Sequence, residues 1–332
     1  MISTVCCVSF SNHLAAWHKR EEEMKTVIVG AGAMGSLLGA FLSLSGIEVW
    51  LVDIWEEHIE SIRSKGLLIE GKEKNQTIPV RATKDVASIG KADLVLFLVK
   101  SYQTEKAVSD SLVLEKEDTI FLTLQNGLGN EELIYRQADR KKVVLGVTGQ
   151  GATLLGPGHI LHGGMGKTYV GEPDGKITDR VAQIARMFNQ AGIETEASSH
   201  IHDLVWEKLF VNVGINALAA LLGVKNGQLL DHPETLNIME ALVSEAIEVA
   251  KRKSIRIEGN PIERVKTVMK ATRENRCSMG QDLDYRRRTE IDTINGAIVR
   301  EAGRLGISVP YNQMITNLIK VIEKNFKYEI RN

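Results

Sequence analysis

Between Trp206 and Leu222 the chain places Lys208, Asn212 and Asn216 at i, i+4 and i+8 in an otherwise apolar stretch. That spacing lines all three along one face of a helix. From Leu209 to Leu222 the two asparagines are the only side chains able to hydrogen-bond, whereas a solvated stripe is ordinarily rich in Glu, Lys and Gln, so this stripe faces a cavity. A pair of structural asparagines tying helices together is the alternative, and buried amides need partners in either case. A lysine beside so much apolar surface has reason to titrate low, because desolvation disfavours the ammonium, and such a lysine donates a proton near neutral pH.

A second set of residues points to a phosphate-bearing ligand. Lys25-Thr-Val-Ile-Val runs as a β-branched strand into Gly30, Ala31, Gly32, Ala33, Met34 and Gly35, and then into an apolar helical pattern. In this G-x-G-x-x-G, Gly30 serves the tight turn, Gly32 the close approach of backbone to a pyrophosphate, and Gly35 the packing of helix on strand. The free N–H groups of the helix start then face the phosphates. Glu48-Val-Trp-Leu-Val-Asp53 supplies a second strand whose terminal acid, Asp53, follows at close to the roughly 20-residue spacing of a ribose-binding carboxylate. The plainer reading of Asp53 is a turn residue, but the order strand, glycines, helix, strand, acid favours a dinucleotide.

The elements that must hold these residues follow from pattern. Helix is read from Glu57 to Lys65, and irregular or short-strand structure from Gly66 to Val80. Ala92 to Lys100 is a nearly continuous apolar run, as in a parallel strand buried on both faces, and Thr119 to Leu124 and Lys142 to Val147 repeat it. Strands alternating with helices imply a doubly wound sheet whose ligands lie beyond the strands' carboxyl ends, where Lys100 and Gln125-Asn126-Gly127 stand. From Gly149 to Gly171 small antiparallel strands are expected to extend the sheet, then a helix from Lys176 to Ala191 and an edge strand from Gly192 to Glu196. After His200 helical periodicity takes over at 200–222, 234–253, 261–274, 284–304 and 310–326. Ahead of the fourth of these, Ser278 is read as a capping serine that opens the run into a charged helix. The fold class is therefore α/β, with an N-terminal Rossmann-type doubly wound sheet at 24–198 and a C-terminal all-helical domain at 199–332.

The 332 residues carry a formal net charge of −1, with 43% hydrophobic and 25% charged content, which suits two domains with sizeable cores. Neither a nucleic-acid partner nor an anionic membrane is expected from that charge, and no stretch reaches the roughly 18 uninterrupted apolar residues of a spanning helix. The chain has 3 cysteines, two of them adjacent, so a disulfide framework is not expected and a reducing cytoplasm is. Residues 1–23 stand outside the pattern and lack a basic n-region; they are read as a poorly ordered upstream extension, with translation starting at Met24. Cys6, Cys7, His13 and His18 match no zinc spacing, and no metal is expected.

Taken together the chain resembles the ketopantoate reductase (2-dehydropantoate 2-reductase) family from Lys25 to about Asn325. The matching pieces are Gly30-Ala-Gly32-Ala-Met-Gly35, Lys100, Gln125-Asn126-Gly127-Leu-Gly129, Trp206-Glu-Lys208-Leu with Asn212 and Asn216, Asn226-Gly227, and Ser278 through Thr289-Glu290-Ile-Asp292. The resemblance implies reduction of ketopantoate to pantoate, on the route to pantothenate and coenzyme A, with hydride delivered from a nicotinamide cofactor in the cleft between the domains. It implies that Lys208 is the general acid and that Glu290 orients the lysine or the substrate hydroxyl, close to the cofactor. Asn126, Asn212, Asn216, Asn226 and Ser278 are implied on the substrate, and Lys100 and Asn126 near the nicotinamide end. A homodimer through the helical domain is a further expectation. The physical logic agrees, since a cationic donor aimed at the carbonyl oxygen stabilises the charge that develops there in the transition state.

Two departures stand out. Ala217 replaces a proline common after the second asparagine. At the cofactor, the resemblance implies NADP(H), with a basic residue beyond the second strand, whereas Asp53-Ile-Trp-Glu56-Glu57 offers acids, which repel a 2′-phosphate and accept hydrogen bonds from a ribose diol. Locally, Asp53 favours NAD(H). Three other readings stand beside this one: a reductase of another bulky or aromatic 2-oxo acid, a β-hydroxy acid or imine reductase, and a dinucleotide-sensing protein without chemistry. Thr289-Glu290-Ile-Asp292 argues against the second, and the pairing of Lys208 with Glu290 against the third.

Overall fold

The computed structural model describes residues 24–71 and 74–329, so the expectations for residues 1–23 lie outside the described residues. The chain forms two compact units, one holding the residues up to Gln125 and Glu131–Ile201, the other Asn126–Asn130 and the residues from His202 on.

In the first unit, in chain order, come β1 (Thr26–Val29), α1 (Ala33–Leu44), β2 (Val49–Val52), α2 (Glu56–Lys65), β3 (Leu67–Glu70), β4 (Asn75–Ile78), β5 (Arg81–Thr83), β6 (Leu94–Phe97), α3 (Thr104–Ser111), β7 (Ile120–Thr123), α4 (Asn130–Tyr135), β8 (Val143–Thr148), β9 (Gly151–Gly156), β10 (His159–Gly164), β11 (Thr168–Gly171), α5 (Asp179–Gln190) and β12 (Thr195–Ala197). Eight strands form one sheet in the order β12-β11-β8-β7-β6-β1-β2-β5. Strands β5, β2, β1, β6, β7 and β8 are parallel, and β11 runs antiparallel to β8. Alternate residues of β1 and β6 enter two separate cores, Ile28, Leu94 and Leu96 on one face and Val27, Val29, Val95 and Phe97 on the other. That two-sided burial is why these strands read as unbroken apolar runs.

The expectation for 149–171 holds for β11 and fails for β9 and β10, which join β3 and β4 in a separate sheet of order β4-β3-β10-β9. Glycines make the departure: a Cβ on Gly166 would lie 2.3 Å from the Gly149 carbonyl oxygen, so the chain crosses itself there at a distance only glycine allows.

Between β1 and α1 the turn is built as its glycines require. Gly30 has φ +102°, and a Cβ on Gly35 would sit 1.9 Å from the Gly30 carbonyl oxygen. At Gly32 a Cβ would meet nothing within 4 Å, leaving open space against the first amides of α1. A buried polar chain holds this turn from behind. The Gly158 N–H donates to His58 Nδ1 at 3.0 Å, so Nε2 carries the proton and faces Ser36 Oγ at 3.2 Å, while Ser36 Oγ donates to the Ala31 carbonyl at 2.7 Å.

The second unit is helical: α6 (Ile201–Leu222), α7 (Pro233–Arg252), α8 (Pro261–Ala271), α9 (Ser278–Asp284), α10 (Asn295–Leu305) and α11 (Pro310–Glu329). By length and composition α6 is the one helix among the described residues apolar enough to cross a membrane, yet it supplies Trp206, Leu209, Phe210, Val213 and Leu218 to the core of this unit. Of the single helix expected over 284–304, only the part from Asn295 on is helical, as α10; α9 ends at Asp284 and non-helical chain fills 285–294. Arg286, at φ 52°, takes the left-handed position after α9, with Arg286 N–H bonded to Leu283 O and Arg287 N–H to Asp282 O. This is a Schellman stop made without glycine, which is why the charged pattern hid it. The cap is also corrected: Cys277 Sγ accepts from the Gly280 N–H at 3.2 Å, and Ser278 is the exposed first residue of α9.

Burial lowers the pKa of His58, against a smaller opposite pull from Asp53. Native His58 therefore stays neutral where the unfolded chain takes up a proton, so its contribution to stability is complete above pH ~6.5 and is lost as pH falls from there towards the lowered native value. Thermal melts of wild type and His58→Gln should show the wild type losing Tm faster below pH ~6.5. Parallel pH dependences would show that His58 does not titrate in this way.

Candidate functional site

In the helical unit the α6 stripe is the spine. Lys208 and Asn212 are partly exposed and Asn216 is buried, all on the face predicted from their spacing. Burial pushes the Lys208 ammonium down to about 8, and the Glu290 carboxylate is the charge that pulls it back up. Glu290 is itself buried, in the stretch of turns between α9 and α10.

That stretch is pinned from α11. Glu323 Oε1 accepts from both the Thr289 N–H at 2.7 Å and Thr289 Oγ1 at 2.6 Å, and Lys320 Nζ meets Asp292 Oδ1 at 2.5 Å. Burial alone would raise the Asp292 carboxyl, but Lys320 and Arg288 outweigh it and hold it below its ordinary value. Immediately after, the Asn295 amide donates to the Val213 carbonyl of α6 at 3.2 Å and to Asn312 Oδ1 at 3.0 Å. The helix carrying Lys208 and the turn carrying Glu290 are thereby fixed to one another.

The other predicted residues gather on this frame. Cys277 Sγ donates to the Asn216 carbonyl at 3.4 Å, which sets Ser278 beside the end of the stripe. The Asn226 N–H donates to Asn275 O at 3.0 Å and its amide to Thr272 Oγ1 at 3.0 Å, while its buried Oδ1 accepts no hydrogen bond among the described residues. An orphaned buried acceptor costs about 1–3 kcal/mol unless a ligand or water satisfies it. Asn126 belongs to the segment that groups with this unit: the Leu128 N–H donates to Thr293 O at 2.9 Å, and a Cβ on Gly127 would lie 2.3 Å from that same oxygen. Asn126 thus rides on the turn that holds Glu290.

In the first unit the glycine turn, Asp53 and Lys100 converge. Asp53 Oδ2 accepts from the Ala31 N–H at 2.8 Å and Oδ1 from the Trp55 N–H at 3.0 Å, so its carboxylate joins the glycine turn to the start of α2. Lys100 follows β6, and the backbone nitrogen of Val99 just before it borders Gly30 so closely that a Cβ on the glycine would lie 2.5 Å away. Gln125 Nε2 ties the ends of β6 and β7 by donating to Val99 O at 2.8 Å and Thr104 Oγ1 at 2.7 Å. The uncapped start of α1, the open space at Gly32 and a carboxylate at the end of β2 fit the phosphates and ribose of a dinucleotide. No group of three or more His, Cys, Asp or Glu among the described residues is placed to hold a metal ion.

Sequence reasoning missed the positioning residues His58, Glu323 and Asn312, each distant in sequence from what it holds. It also missed a cation: Lys84, just past β5, meets Glu56 Oε1 at 2.5 Å. No spacing signal announces it, because β5 reaches the side of β2 only through the sheet order.

The profile described as "Ketopantoate reductase PanE/ApbA" matches residues 26–175, and that of its C-terminal domain residues 200–323. The 2-dehydropantoate 2-reductase of Archaeoglobus fulgidus is 37% identical over 296 residues, covering 89% of this chain and 97% of that protein. The Pyrococcus horikoshii enzyme of the same name is 38% identical over 301 residues, covering 90% and 98%. Among solved structures, a PanE/ApbA family ketopantoate reductase from Ralstonia eutropha superposes with a TM-score of 0.85 at 30% identity, over 92% of this chain and 100% of that one. D-mandelate dehydrogenase with NADH and anilino(oxo)acetate gives 0.86 at 30% identity, over 92% and 99%. With both halves matched and relatives aligned across nearly their whole length, the chain belongs to the ketopantoate reductase family.

Proposed function

We propose that the chain is a 2-dehydropantoate 2-reductase, reducing the keto group of ketopantoate to the hydroxyl of pantoate with a nicotinamide cofactor. The observation that carries this reading is the Lys208 ammonium, held in a mostly apolar helix and opposed by the Glu290 carboxylate. When bound, the cofactor supplies hydride to the keto carbon. Lys208 Nζ donates a hydrogen bond to the keto oxygen and gives up its proton as negative charge collects there. Because that charge is small in the ground state and large in the transition state, the lysine acts chiefly on kcat. Glu290 keeps the ammonium charged and aimed, and Asn212, Asn216, Asn226 and Ser278 offer neutral donors and acceptors for the carboxylate and hydroxyl of the substrate. The unsatisfied Asn226 Oδ1 supports its share in this.

Gly30 to Gly35 receive the pyrophosphate, Lys100 and Asn126 serve the nicotinamide end, and Asp53 takes the adenosine ribose. A carboxylate offers about four lone-pair directions, and the Ala31 and Trp55 amides use only two, leaving acceptors for a ribose diol. That supports NAD(H). A second reading, reduction of an aromatic 2-oxo acid, is favoured by the similarity to D-mandelate dehydrogenase. Comparing kcat/KM for ketopantoate and phenylglyoxylate separates the two; a higher value for phenylglyoxylate would displace the first.

Lys208→Ala should lower kcat by about 10²–10⁴-fold, the usual worth of a general acid, with little change in cofactor affinity. Unchanged turnover would refute the assignment. Because the donor must be protonated, kcat/KM should fall as pH rises through about 8, and in Lys208→Ala this limb should vanish. Glu290→Gln should cost less in kcat than Lys208→Ala and should move the alkaline limb to lower pH, since Glu290 is the charge that holds the lysine's pKa up. A larger loss of kcat than in Lys208→Ala would make Glu290 the better candidate for the proton donor.

A further inference from the structure

Strand β5 lies parallel to β2 at the edge of the large sheet, with Val52 paired to Thr83. One residue further along each strand come Asp53 and Lys84, and the Asp53 N–H reaches the Thr83 carbonyl at 3.4 Å. Neighbouring strands run about 4.8 Å apart, so the backbone of Lys84 stands alongside that of Asp53, the residue proposed to hold the ribose. Its ammonium is drawn across to Glu56, in the first turn of α2. Both side chains of this pair are solvated, 45% exposed for Lys84 and 73% for Glu56, so the pair contributes little to stability and exchanges freely.

We propose that Lys84 is the residue through which this chain admits a 2′-phosphorylated dinucleotide. The inference rests on the dinucleotide reading above and adds to it. With a 2′-hydroxyl on the ribose, Lys84 stays on Glu56, and Asp53 accepts the diol. With a 2′-phosphate, a group of charge about −1.5 to −2 and three acceptor oxygens competes with the single charge of Glu56 for the same ammonium and takes it. The acids that oppose the phosphate then include Asp53, both of whose oxygens already accept backbone N–H groups, and Glu57, at the start of α2. The cation comes from the neighbouring strand and not from the segment directly after β2, so the acidic Asp53-Ile-Trp-Glu56-Glu57 run does not by itself exclude NADP(H).

The test uses the full chain and nucleotide fragments, so that turnover plays no part. Calorimetric titration with 2′,5′-ADP and with 5′-AMP should show both binding to the wild type. Lys84→Ala should weaken 2′,5′-ADP by about tenfold or more, the order of one charge-assisted hydrogen bond, and leave 5′-AMP unchanged. Glu56→Gln, which frees the ammonium and removes a negative charge, should tighten 2′,5′-ADP and leave 5′-AMP unchanged. Equal losses for both ligands in Lys84→Ala, no loss for either, or weaker 2′,5′-ADP binding in Glu56→Gln would overturn the proposal. Wild-type binding of 5′-AMP without 2′,5′-ADP would overturn the role of Lys84 alone, whereas binding of neither would overturn the dinucleotide site as well.

Discussion

The Lys208 ammonium, half-buried on an apolar helix, is drawn down by burial and pulled back up by the Glu290 carboxylate, and that opposition depends on how Glu290 is held. Burial alone would lower the lysine further, and an unconstrained carboxylate would turn towards water. Glu290 is instead carried on a stretch of turns between two helices, held at Thr289 by Glu323 and at Asp292 by Lys320, both from α11. Asn295 then clamps the same stretch to the Val213 carbonyl of α6, about 1.4 turns along from Lys208. Removing the regular helix from 285 to 294 frees this stretch to make those contacts, which a continuous helix would have spent on itself.

The first unit meets a different constraint, a helix start left without a side-chain cap beside open space at Gly32. Side chains would fill that space, so glycine is required at the turn, and the turn must then be stiffened from outside. Asp53 does so from the front through the Ala31 N–H, and Ser36 and His58 from behind through the Ala31 carbonyl. A neutral imidazole suits the second task, since it accepts at Nδ1 and donates at Nε2 without placing charge in a buried position. The turn is therefore rigid and bare together, the condition under which amides bind phosphate without first paying to reorganise.

Asp53 has a structural role whatever it recognises in the proposed reading. Two of its lone pairs are committed to the fold, so its position does not depend on a ligand. Asp53 itself is partly exposed, and close to it in sequence Glu56 forms a solvated pair with Lys84. Which charges stand at the end of β2 is set by the neighbouring strand β5 as much as by the residues that follow β2.

Much of the fold was legible in the sequence because its signals are local. Apolar runs gave the parallel strands, the glycine spacing gave the turn and its flanking elements, and the i, i+4, i+8 spacing of Lys208, Asn212 and Asn216 gave one face of α6. Tertiary structure decided what depends on residues far apart in the chain. The left-handed Arg286 ended α9 where no glycine marked a stop, and the Gly149–Gly166 crossing sent β9 and β10 to a second sheet. Cys277 took the capping role read for Ser278, because the Sγ could bridge Gly280 and Asn216 together. Likewise the anchors Glu323 and Asn312, the relay through His58 and the placement of Lys84 beside Asp53 arise from packing and strand order. Side-chain type and spacing encode which surface a residue presents within its own element; which residues meet across elements is settled only when those elements pack.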